Sequence, residues 1–482
     1  MVAVNTDTLV NLPGVKIREV QLVGPPIAGV GTSTPGFVGE APAKSDTPGD
    51  TLGGRFAGVA RLVTSADQFI RDYINKVANG TGTSYTTTAT GFAAGTTTIP
   101  LITGSGTVLA GDHVTFAGDN TEYEVKTGVA APGSNIELKA PGLVKAIPAS
   151  ATAMTIVPFD PNKPAATVST PLSHAVFGYF QNGGGPCYVV NIVENKNDNL
   201  KNGIAALERI DVQIIAAPGY ADTTTYQWLI DQATALKDRF AILDAPPKAN
   251  DRGDLIKKNS SIRPKDSPWA AFYYPQIQVS PVLKDDPTTK PIWVPPTGHI
   301  AGMYGRVDAL RGVHKAPANE VILGALGVED VLNDSDQDAL NNDGVNAIRL
   351  FAQGSTVFGA RTVQAHDADK TFLYISTRRL LTYVEQSLKV GLRFAVFEPN
   401  NLALRQKIIR SARGFLDGVW RDGALFGATA DEAYYVRFPD TFNSDADRAL
   451  GKLTLEVGLR VTYPAEFIIV RIGLLLQNAS TA

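Results

Sequence analysis

Apolar and polar positions follow two different periods along this chain. Between residues 187 and 247, short apolar runs alternate with helical segments, and in one of these the apolar residues recur every three to four positions: Tyr226, Leu229, Ile230, Ala233 and Leu236. A short apolar run predicts a buried strand, and the three-to-four spacing predicts a helix that packs on one face. Strands and helices alternating in this order indicate βαβ crossovers and a largely parallel sheet.

A similar alternation returns at residues 371–422, where the pattern predicts a strand, a helix, a second strand ending at FEPN and a second helix. This stretch carries nine Lys and Arg against four Asp and Glu, in a chain whose net charge is only −3. In the second helix, Lys407, Arg410 and Arg413 recur every three residues and therefore share one face. A solvated helix surface explains that face, and so does a docking surface that presents positive charge.

Both ends of the chain carry strand patterns. At residues 452–464 apolar and polar residues alternate strictly, which predicts the clearest strand of the protein, with one face buried and one in water. A further strand is predicted after Pro464. Near the other end, Val15, Ile17 and Val20 alternate loosely with charged residues. A lone terminal strand buries little, so these strands pair either with each other or with strands of other chains.

Residues 70–168 differ in texture from their surroundings. They are rich in Thr and Gly and contain the short runs HVTFAG, TEYEVKTGV and NIELKA, separated by turn residues. We expect a small β domain inserted into a surrounding fold, in preference to a low-complexity linker. The predicted fold class is therefore α/β (mixed α+β) and multidomain, with a core of mixed sheets and helices, the inserted β domain and terminal strands.

Length and charge narrow the function classes. A chain of 482 residues is too long for one core, so roughly two to four domains are expected. A net charge of −3 argues against a dedicated nucleic-acid binder. The single cysteine, Cys187, excludes an intramolecular disulfide. We expect neither a signal peptide nor direct membrane insertion, because the first residues lack a basic and apolar leader and no apolar run reaches roughly 18 residues.

Two loops resemble catalytic or binding motifs only in part. The sequence GTSTP at 31–35 has Pro35 where a nucleophile elbow needs glycine, so a loop is predicted. The sequence NGGGP at 182–186 precedes a strand, whereas a phosphate cradle follows a strand and opens a helix. A tight turn is predicted there.

The acidic run at Asp334, Asp336 and Asp338 has the spacing of a calcium loop. Ala339 and Val345 stand where such a loop requires glycine and a bidentate glutamate. We therefore predict a solvated helix start, capped by Asp334 or Ser335.

The remaining candidates for chemistry are isolated residues. None of the five histidines has metal-ligand spacing with another histidine, cysteine or carboxylate. Asp244 ends a predicted parallel strand, where α/β sheets tend to bind ligands, but a capping or turn role is favoured. We predict no enzyme activity and no catalytic, cofactor-binding or metal residues; an α/β enzyme with a site near Asp244 is the rival interpretation.

Several stretches resemble contractile tail sheath proteins of phages and phage-derived injection systems. They are PGVKIREV and PPIAGVGTSTPGFVGEAP near the N-terminus, then FGYFQNGGGPCYVVNI, SPWAAFYYPQIQV, VPPTGHIAGMYGRVDALRGVHKAPAN and DALNNDGVNAIR, and finally an RRLL-x-Y-x-E helix before FEPN. They occur in family order across about 23–68 and 170–475, and residues 70–168 have no equivalent in the minimal members. Gln276 and His314 depart from the family, where Trp is usual at both positions.

The resemblance implies a structural subunit with no cofactor, polymerised as stacked hexameric rings around an inner tube and contracting to drive that tube through a membrane. The implied partners are further copies of the chain, the inner tube protein, and baseplate and tail terminator proteins, with no nucleic acid. The implied location is a virion tail or released phage-like particle, assembled in the cytoplasm of a bacterial host. A non-contractile structural polymer is the alternative.

Within such a sheath, terminal extensions pair with strands of neighbouring subunits. We therefore expect inter-subunit strands at Val15, Ile17, Val20, Phe467, Ile469 and Arg471, and a tube-facing surface at Lys407, Arg410 and Arg413. The expected domains are an N-terminal linking arm (1–22), an α/β middle domain (23–69 with 169–344), an inserted outer β domain (70–168), a tube-facing C-terminal core domain (345–464) and a C-terminal linking strand (465–482).

Overall fold

The computed structural model describes the chain over residues 26–41, 58–74, 84–104, 113–117, 119–127, 135–138, 142–144, 146–147, 152–157, 170–192, 197–248, 252–258, 260–281, 290–364 and 370–468. The chain divides into two compact units. The small unit takes residues up to Val30 and Val384–Thr462, and the large unit takes Gly31–Tyr383 and the residues from Tyr463 onward. The predicted α/β, multidomain class is confirmed.

The described residues form the following strands, in chain order: β1 Pro35–Gly39, β2 Arg61–Val63, β3 Ser84–Thr87, β4 Thr98–Gly104, β5 His113–Phe116, β6 Asp119–Thr127, β7 Asn135–Leu138, β8 Ala153–Val157, β9 Cys187–Asn191, β10 Ile214–Ala216, β11 Phe240–Asp244, β12 Ala270–Tyr274, β13 Ile277–Val279, β14 Ile292–Val294, β15 Glu320–Val321, β16 Ala325–Val328, β17 Val345–Phe351, β18 Gly354–Val357, β19 Tyr434–Arg437 and β20 Glu456–Leu459.

The helices of the same residues are α1 Ala66–Phe69, α2 Pro171–Gln181, α3 Asn197–Ala206, α4 Thr223–Leu236, α5 Gly253–Ile256, α6 Thr297–Arg311, α7 Asp334–Asn342, α8 Ile375–Gly391, α9 Leu402–Arg421, α10 Ala430–Ala433 and α11 Asp445–Ala449. A π-helical turn, Ile70–Ile74, follows α1, and 3₁₀ turns lie at Arg393–Ala395 and Asp440–Phe442.

A nine-stranded sheet forms the centre of the large unit, in the order β15-β18-β17-β12-β11-β10-β1-β9-β2. The six strands from β17 to β9 run parallel, and the pairs at both edges are antiparallel. Every residue of β1, β11 and β12 is buried, which explains why these strands are almost continuously apolar in sequence. The predicted parallel sheet is confirmed.

Helices cover both faces of this sheet. One face packs against α2 and α6, and the other against α3 and α4, so neighbouring strand residues such as Phe37 and Val38 enter different cores. Helices α2 and α6 approach so closely that a Cβ on Gly298 or Gly302 would collide with the backbone of α2. Glycine at these two positions therefore sets the distance between the helices.

A six-stranded closed barrel occupies the Thr- and Gly-rich segment, with the strand sequence β3-β4-β7-β6-β5-β8 around the barrel. Its interior is a core of its own, which includes Tyr85, Phe116 and Met154. Closing the sheet leaves no free edge. Tyr73, near the start of the predicted inserted domain, belongs to the core of the large unit. The predicted domain boundaries stay predictions.

Two strand predictions in the C-terminal third are wrong, and a third strand is shorter than predicted. Residues 371–374 form only an isolated bridge, between Tyr374 and Arg361, before α8 begins at Ile375. The segment before FEPN is a 3₁₀ turn, Arg393–Ala395, because its backbone groups bond locally, as in the bond from the Ala395 N–H to the Leu392 carbonyl. The strand predicted at 452–464 shortens to β20, whose residues are all half-buried, since it pairs over only four residues with β19.

Candidate interaction surfaces

Helix α9 is the most strongly amphipathic surface element of the small unit. Asn401 caps it, since its side-chain carbonyl accepts a hydrogen bond from the Leu404 N–H at 2.9 Å. Its inner face buries Leu404, Ile408, Ala412 and Phe415, as the sequence predicts. The opposite face is left to the basic residues.

The three basic residues predicted to face a tube lie on the outer side of α9. The Nζ of Lys407 is 4.7 Å from the centre of the Phe394 ring, so this half-buried lysine is held in place by a cation–π contact. Arg410 is exposed, and the Arg413 guanidinium lies 4.0 Å from the almost fully exposed Asp431 carboxylate. Such solvated ion pairs stabilise a structure by about 0–1 kcal/mol. The face therefore keeps its positive charge available to a partner.

Exposed apolar residues lie beside the start of α9. Val396 and Leu402 are mostly exposed, and Phe397 is fully exposed with a φ of 66°, a left-handed backbone conformation that non-glycine residues rarely adopt. The sequence analysis predicted a strand here and therefore missed these exposed apolar residues. The FEPN motif was the sequence feature that could have pointed to them.

The hairpin of β19 and β20 is a two-stranded sheet. Side chains of β19 alternate between buried and exposed, and the ring of Tyr435 lies across Gly458. On the exposed side Arg437 donates two hydrogen bonds to the Glu456 carboxylate, at 2.9 and 3.1 Å. Directly after β20, the Phe426 N–H donates to the Arg460 carbonyl, and Leu425 and Val461 form a bridge. A two-stranded sheet is marginally stable alone and is suited to accept further strands.

The structure covers only part of the predicted linking strands. Val15, Ile17, Val20, Ile469 and Arg471 lie outside the described residues. Phe467 is described and is 71% exposed, as is its neighbour Ile468 at 82%. Neither is in a strand within the subunit, and their pairing with neighbouring copies stays a prediction.

A buried ion pair ties the start of α8 into the large unit, and we call it the Arg379–Asp308 clasp. Arg379 donates to both oxygens of the Asp308 carboxylate, at 2.9 and 2.5 Å, and to the Thr32 carbonyl at 2.9 Å. The Thr32 hydroxyl donates to the same carboxylate at 2.7 Å. Both charged side chains are about 95% buried, with 4% and 5% exposed. Burial alone would lower the pKa of Arg379, but the Asp308 carboxylate outweighs burial and raises that pKa.

The preceding residue is also held in the large unit. The guanidinium of Arg378 lies 4.2 Å from the Trp269 ring centre and 4.6 Å from that of Phe372. A planar guanidinium stacks well on aromatic faces, which lysine cannot reproduce. Sequence reasoning counted both arginines as part of a basic surface and missed their burial. The amphipathic pattern of α8 gave no signal for it.

The loops and carboxylates examined for chemistry have structural roles in the fold. Residues 31–34 lead as a loop into β1, and residues 182–186 turn from α2 into β9, as predicted. The buried Asp244 carboxylate accepts from the Thr297 N–H at 3.0 Å and the Gly219 N–H at 3.3 Å, and therefore caps α6. Burial raises the pKa of Asp244 to about 6, against the lowering effect of these hydrogen bonds.

The acidic run is the start of α7, as predicted, but its cap is Asn333 and not Asp334 or Ser335. Asn333 accepts from the Asp336 N–H at 2.9 Å, and the Asp336 carboxylate accepts from the Asn333 N–H at 3.1 Å. The two bonds form a capping box, in which Asn333, the residue directly before the helix, is the cap.

Across the described residues, no group of three His, Cys, Asp or Glu side chains could hold a metal ion. No helix among them has the length and apolar character needed to cross a bilayer.

Comparison with known proteins gives two family matches in chain order. Residues 194–363 match the phage tail sheath protein central domain, and residues 367–474 match the phage tail sheath C-terminal domain. The tail sheath protein of Burkholderia phage BcepMu is 26% identical over 269 residues, which is 53% of each chain. The match thus spans about half the length of that curated relative.

Solved structures extend the likeness to nearly the whole fold. A chain of the anti-feeding prophage baseplate superimposes with a TM-score of 0.61 at 25% identity, over 97% of this chain and all of the other. A chain of the PVC sheath complex in its contracted state, from an extracellular contractile injection system, has a TM-score of 0.60 at 24% identity, over 97% and 98%. The chain therefore shares the fold of these two chains. The chain belongs to the phage tail sheath protein family.

We predict that Arg379→Met lowers the unfolding free energy of the large unit by about 3–5 kcal/mol, because it leaves the Asp308 carboxylate buried without its partner. Chemical denaturation followed by tryptophan fluorescence measures this loss. The matched control is Arg437→Met, whose ion pair is exposed and should cost no more than about 1 kcal/mol. Equal losses in the two variants would contradict a special role for the buried clasp.

Proposed function

We propose that this chain is a structural subunit of a contractile tail sheath. It polymerises as stacked hexameric rings around an inner tube and contracts to drive the tube through a target membrane. Its partners are further copies of itself, the tube protein, and baseplate and terminator proteins, in a phage tail or a released phage-like particle assembled in the host cytoplasm. The observation that carries this proposal is the pair of sheath-domain matches, in chain order, across residues 194–474.

The contrast between strong buried contacts in the large unit and weak charge contacts on α9 supports a mechanical role. The large unit is built around fully buried strands and a buried Arg–carboxylate clasp, so it resists deformation. On the basic face of α9, Arg410 and Arg413 are exposed and Lys407 is half-buried. A sheath that contracts must keep its subunits folded while its contacts to the tube separate, and this combination meets both needs.

Lys407, Arg410 and Arg413 are proposed to contact the inner tube. Their shared face, the exposure of Arg410 and Arg413, and the low cost of separating solvated charges support this assignment. The matching surface on the tube would be acidic. Since each contact is weak, many subunits together hold the extended state, and each can release without unfolding.

Reversing Lys407, Arg410 and Arg413 to Glu should leave the subunit folded but prevent sheath assembly on tubes, because like charges would then face each other. Electron microscopy of particles from cells expressing the variant measures assembly, and circular dichroism of the purified subunit checks its fold. The control reverses three exposed lysines of the large unit, Lys257, Lys258 and Lys265. Normal extended sheaths from the α9 variant would refute the assignment.

The terminal strands are proposed to link neighbouring subunits. Val15, Ile17 and Val20 at one end, and Phe467, Ile469 and Arg471 at the other, would add to the open edges of the β19–β20 hairpin of neighbouring copies. Backbone hydrogen bonds would supply the affinity, and alternating side chains the register. The presence of only two strands in this sheet, among the described residues, and the exposure of Phe467 support this pairing.

Deleting residues 1–20 should give a folded subunit that forms no extended sheath, because one of the two linking strands is removed. The matched control deletes residues 1–10 and keeps Val15–Val20; it should assemble. Sedimentation and electron microscopy of both truncated proteins distinguish the outcomes. Assembly and contraction of the longer deletion at normal levels would show that the linking-strand proposal is wrong for this chain.

A further inference from the structure

A second Arg–carboxylate contact lies where the chain returns to the large unit, and we call it the Arg361–Glu466 clasp. The Arg361 guanidinium donates to the Glu466 carboxylate from Nε at 3.0 Å and from Nη2 at 2.8 Å. The Tyr374 hydroxyl donates to it at 2.9 Å and the Asn341 amide at 2.7 Å. Four donors from three separate segments thus converge on one carboxylate.

The receiving side chains are themselves held in place. The Arg361 N–H donates to the Asn346 side chain at 2.8 Å, and the Arg361 carbonyl accepts from the same amide at 2.8 Å. Asn346 is fully buried in the main sheet. The backbones of Arg361 and Tyr374 form a β-bridge, which sets their side chains beside each other. Arg361 and Tyr374 are therefore positioned by contacts that do not involve Glu466.

Burial and charge identify this contact as a strong one. The side chains of Arg361 and Glu466 are 11% and 17% exposed, far less than those of a typical surface pair. Burial opposes ionisation of Glu466, but Arg361, Asn341 and Tyr374 outweigh it and lower its pKa. Bidentate Arg–carboxylate bonds are among the stronger and more directional hydrogen bonds of proteins.

Glu466 lies between the end of the small unit and two exposed apolar residues of the C-terminal segment. The last residue of the small unit is Thr462, and Tyr463, whose ring is 6.3 Å from that of Tyr374, is already part of the large unit. Directly after Glu466 come Phe467 and Ile468, two large apolar side chains that are 71% and 82% exposed. The clasp thus ends where the exposed apolar extension begins.

We propose that Glu466 is the anchor of the C-terminal extension: the Arg361–Glu466 clasp holds Tyr463–Glu466 on the large unit and presents Phe467 and Ile468 to a second copy of this chain. The inference rests on the proposed sheath function, which supplies the second copy. A fixed exit direction reduces the conformational entropy that the extension loses when it pairs, so assembly is favoured. The clasp also transmits a pull on the extension to the large unit.

The first test is the mobility of residues 463–468 in the purified full-length subunit. Chymotrypsin cleaves after Phe467, and a protease needs several residues on each side of the bond to be flexible. Glu466→Gln keeps the shape of the side chain but removes the charge, and should speed cleavage at Phe467 by roughly tenfold. Tyr374→Phe removes one donor and should give a smaller increase in the cleavage rate. Arg361→Lys removes the two-pronged guanidinium contact and should give an increase comparable to that of Glu466→Gln.

The matched control is Glu137→Gln, which makes the same change at an exposed ion pair with Lys126 in the barrel. It should leave cleavage at Phe467 unchanged. Thermal unfolding of each variant confirms that the subunit is folded at the temperature of the assay. Cleavage of Glu466→Gln at the rate of the parent chain would show that the clasp does not restrain residues 463–468.

The second test is assembly, with a chain lacking residues 467–482 for comparison. The inference predicts that Glu466→Gln forms fewer or shorter sheaths than Glu137→Gln. If Glu466→Gln is cleaved faster but assembles normally while the truncated chain fails, the anchoring role is wrong and the linking role of the extension stands. If the truncated chain assembles normally, the extension does not link subunits and both proposals fall for this terminus.

Discussion

The Arg379–Asp308 clasp is the buried charge pair that joins three separate segments of the large unit. Its carboxylate comes from α6, its guanidinium from α8, and its third partner, Thr32, from the segment that leads into β1. Two charges this deeply buried are tolerated only because each is almost completely paired. The division between the two units falls after Val30 and within α8, so the clasp lies within a few residues of two of the points where the chain passes from one unit to the other.

Around that constraint, the strength of the bonds follows a clear order. Buried strands and the buried clasp hold the large unit together, and loss of one partner there costs several kcal/mol. The Arg361–Glu466 clasp is slightly more exposed, and the Arg413–Asp431 pair of α9 is more exposed again. Only the exposed charge contacts can be broken at a low cost in free energy. In a sheath, this order would let the lattice rearrange while each subunit stays folded.

The parallel sheet was predictable because burial on both faces favours apolar residues, as in the FAIL run of β11 and AAFYY at β12. The inner face of α9 was predictable from its helical spacing. The terminal strand at 452–464 was overestimated, since alternation in sequence does not reveal how far a partner strand extends, and β19 offers four residues. Arg378 and Arg379 were missed because a buried arginine has the same sequence signal as an exposed one. The two carboxylate partners, Asp308 and Glu466, lie 71 and 105 residues from their arginines, a separation that no local pattern reports.

The most direct test of this account is electron cryomicroscopy of the assembled particle before and after contraction. The account predicts hexameric rings of this chain around a tube, with the large unit superimposing on itself in the two states and both Arg–carboxylate clasps intact, while the contacts between subunits and to the tube change. A particle without a tube-enclosing sheath of this chain, or a large unit that refolds with its Arg379–Asp308 clasp broken on contraction, would contradict it.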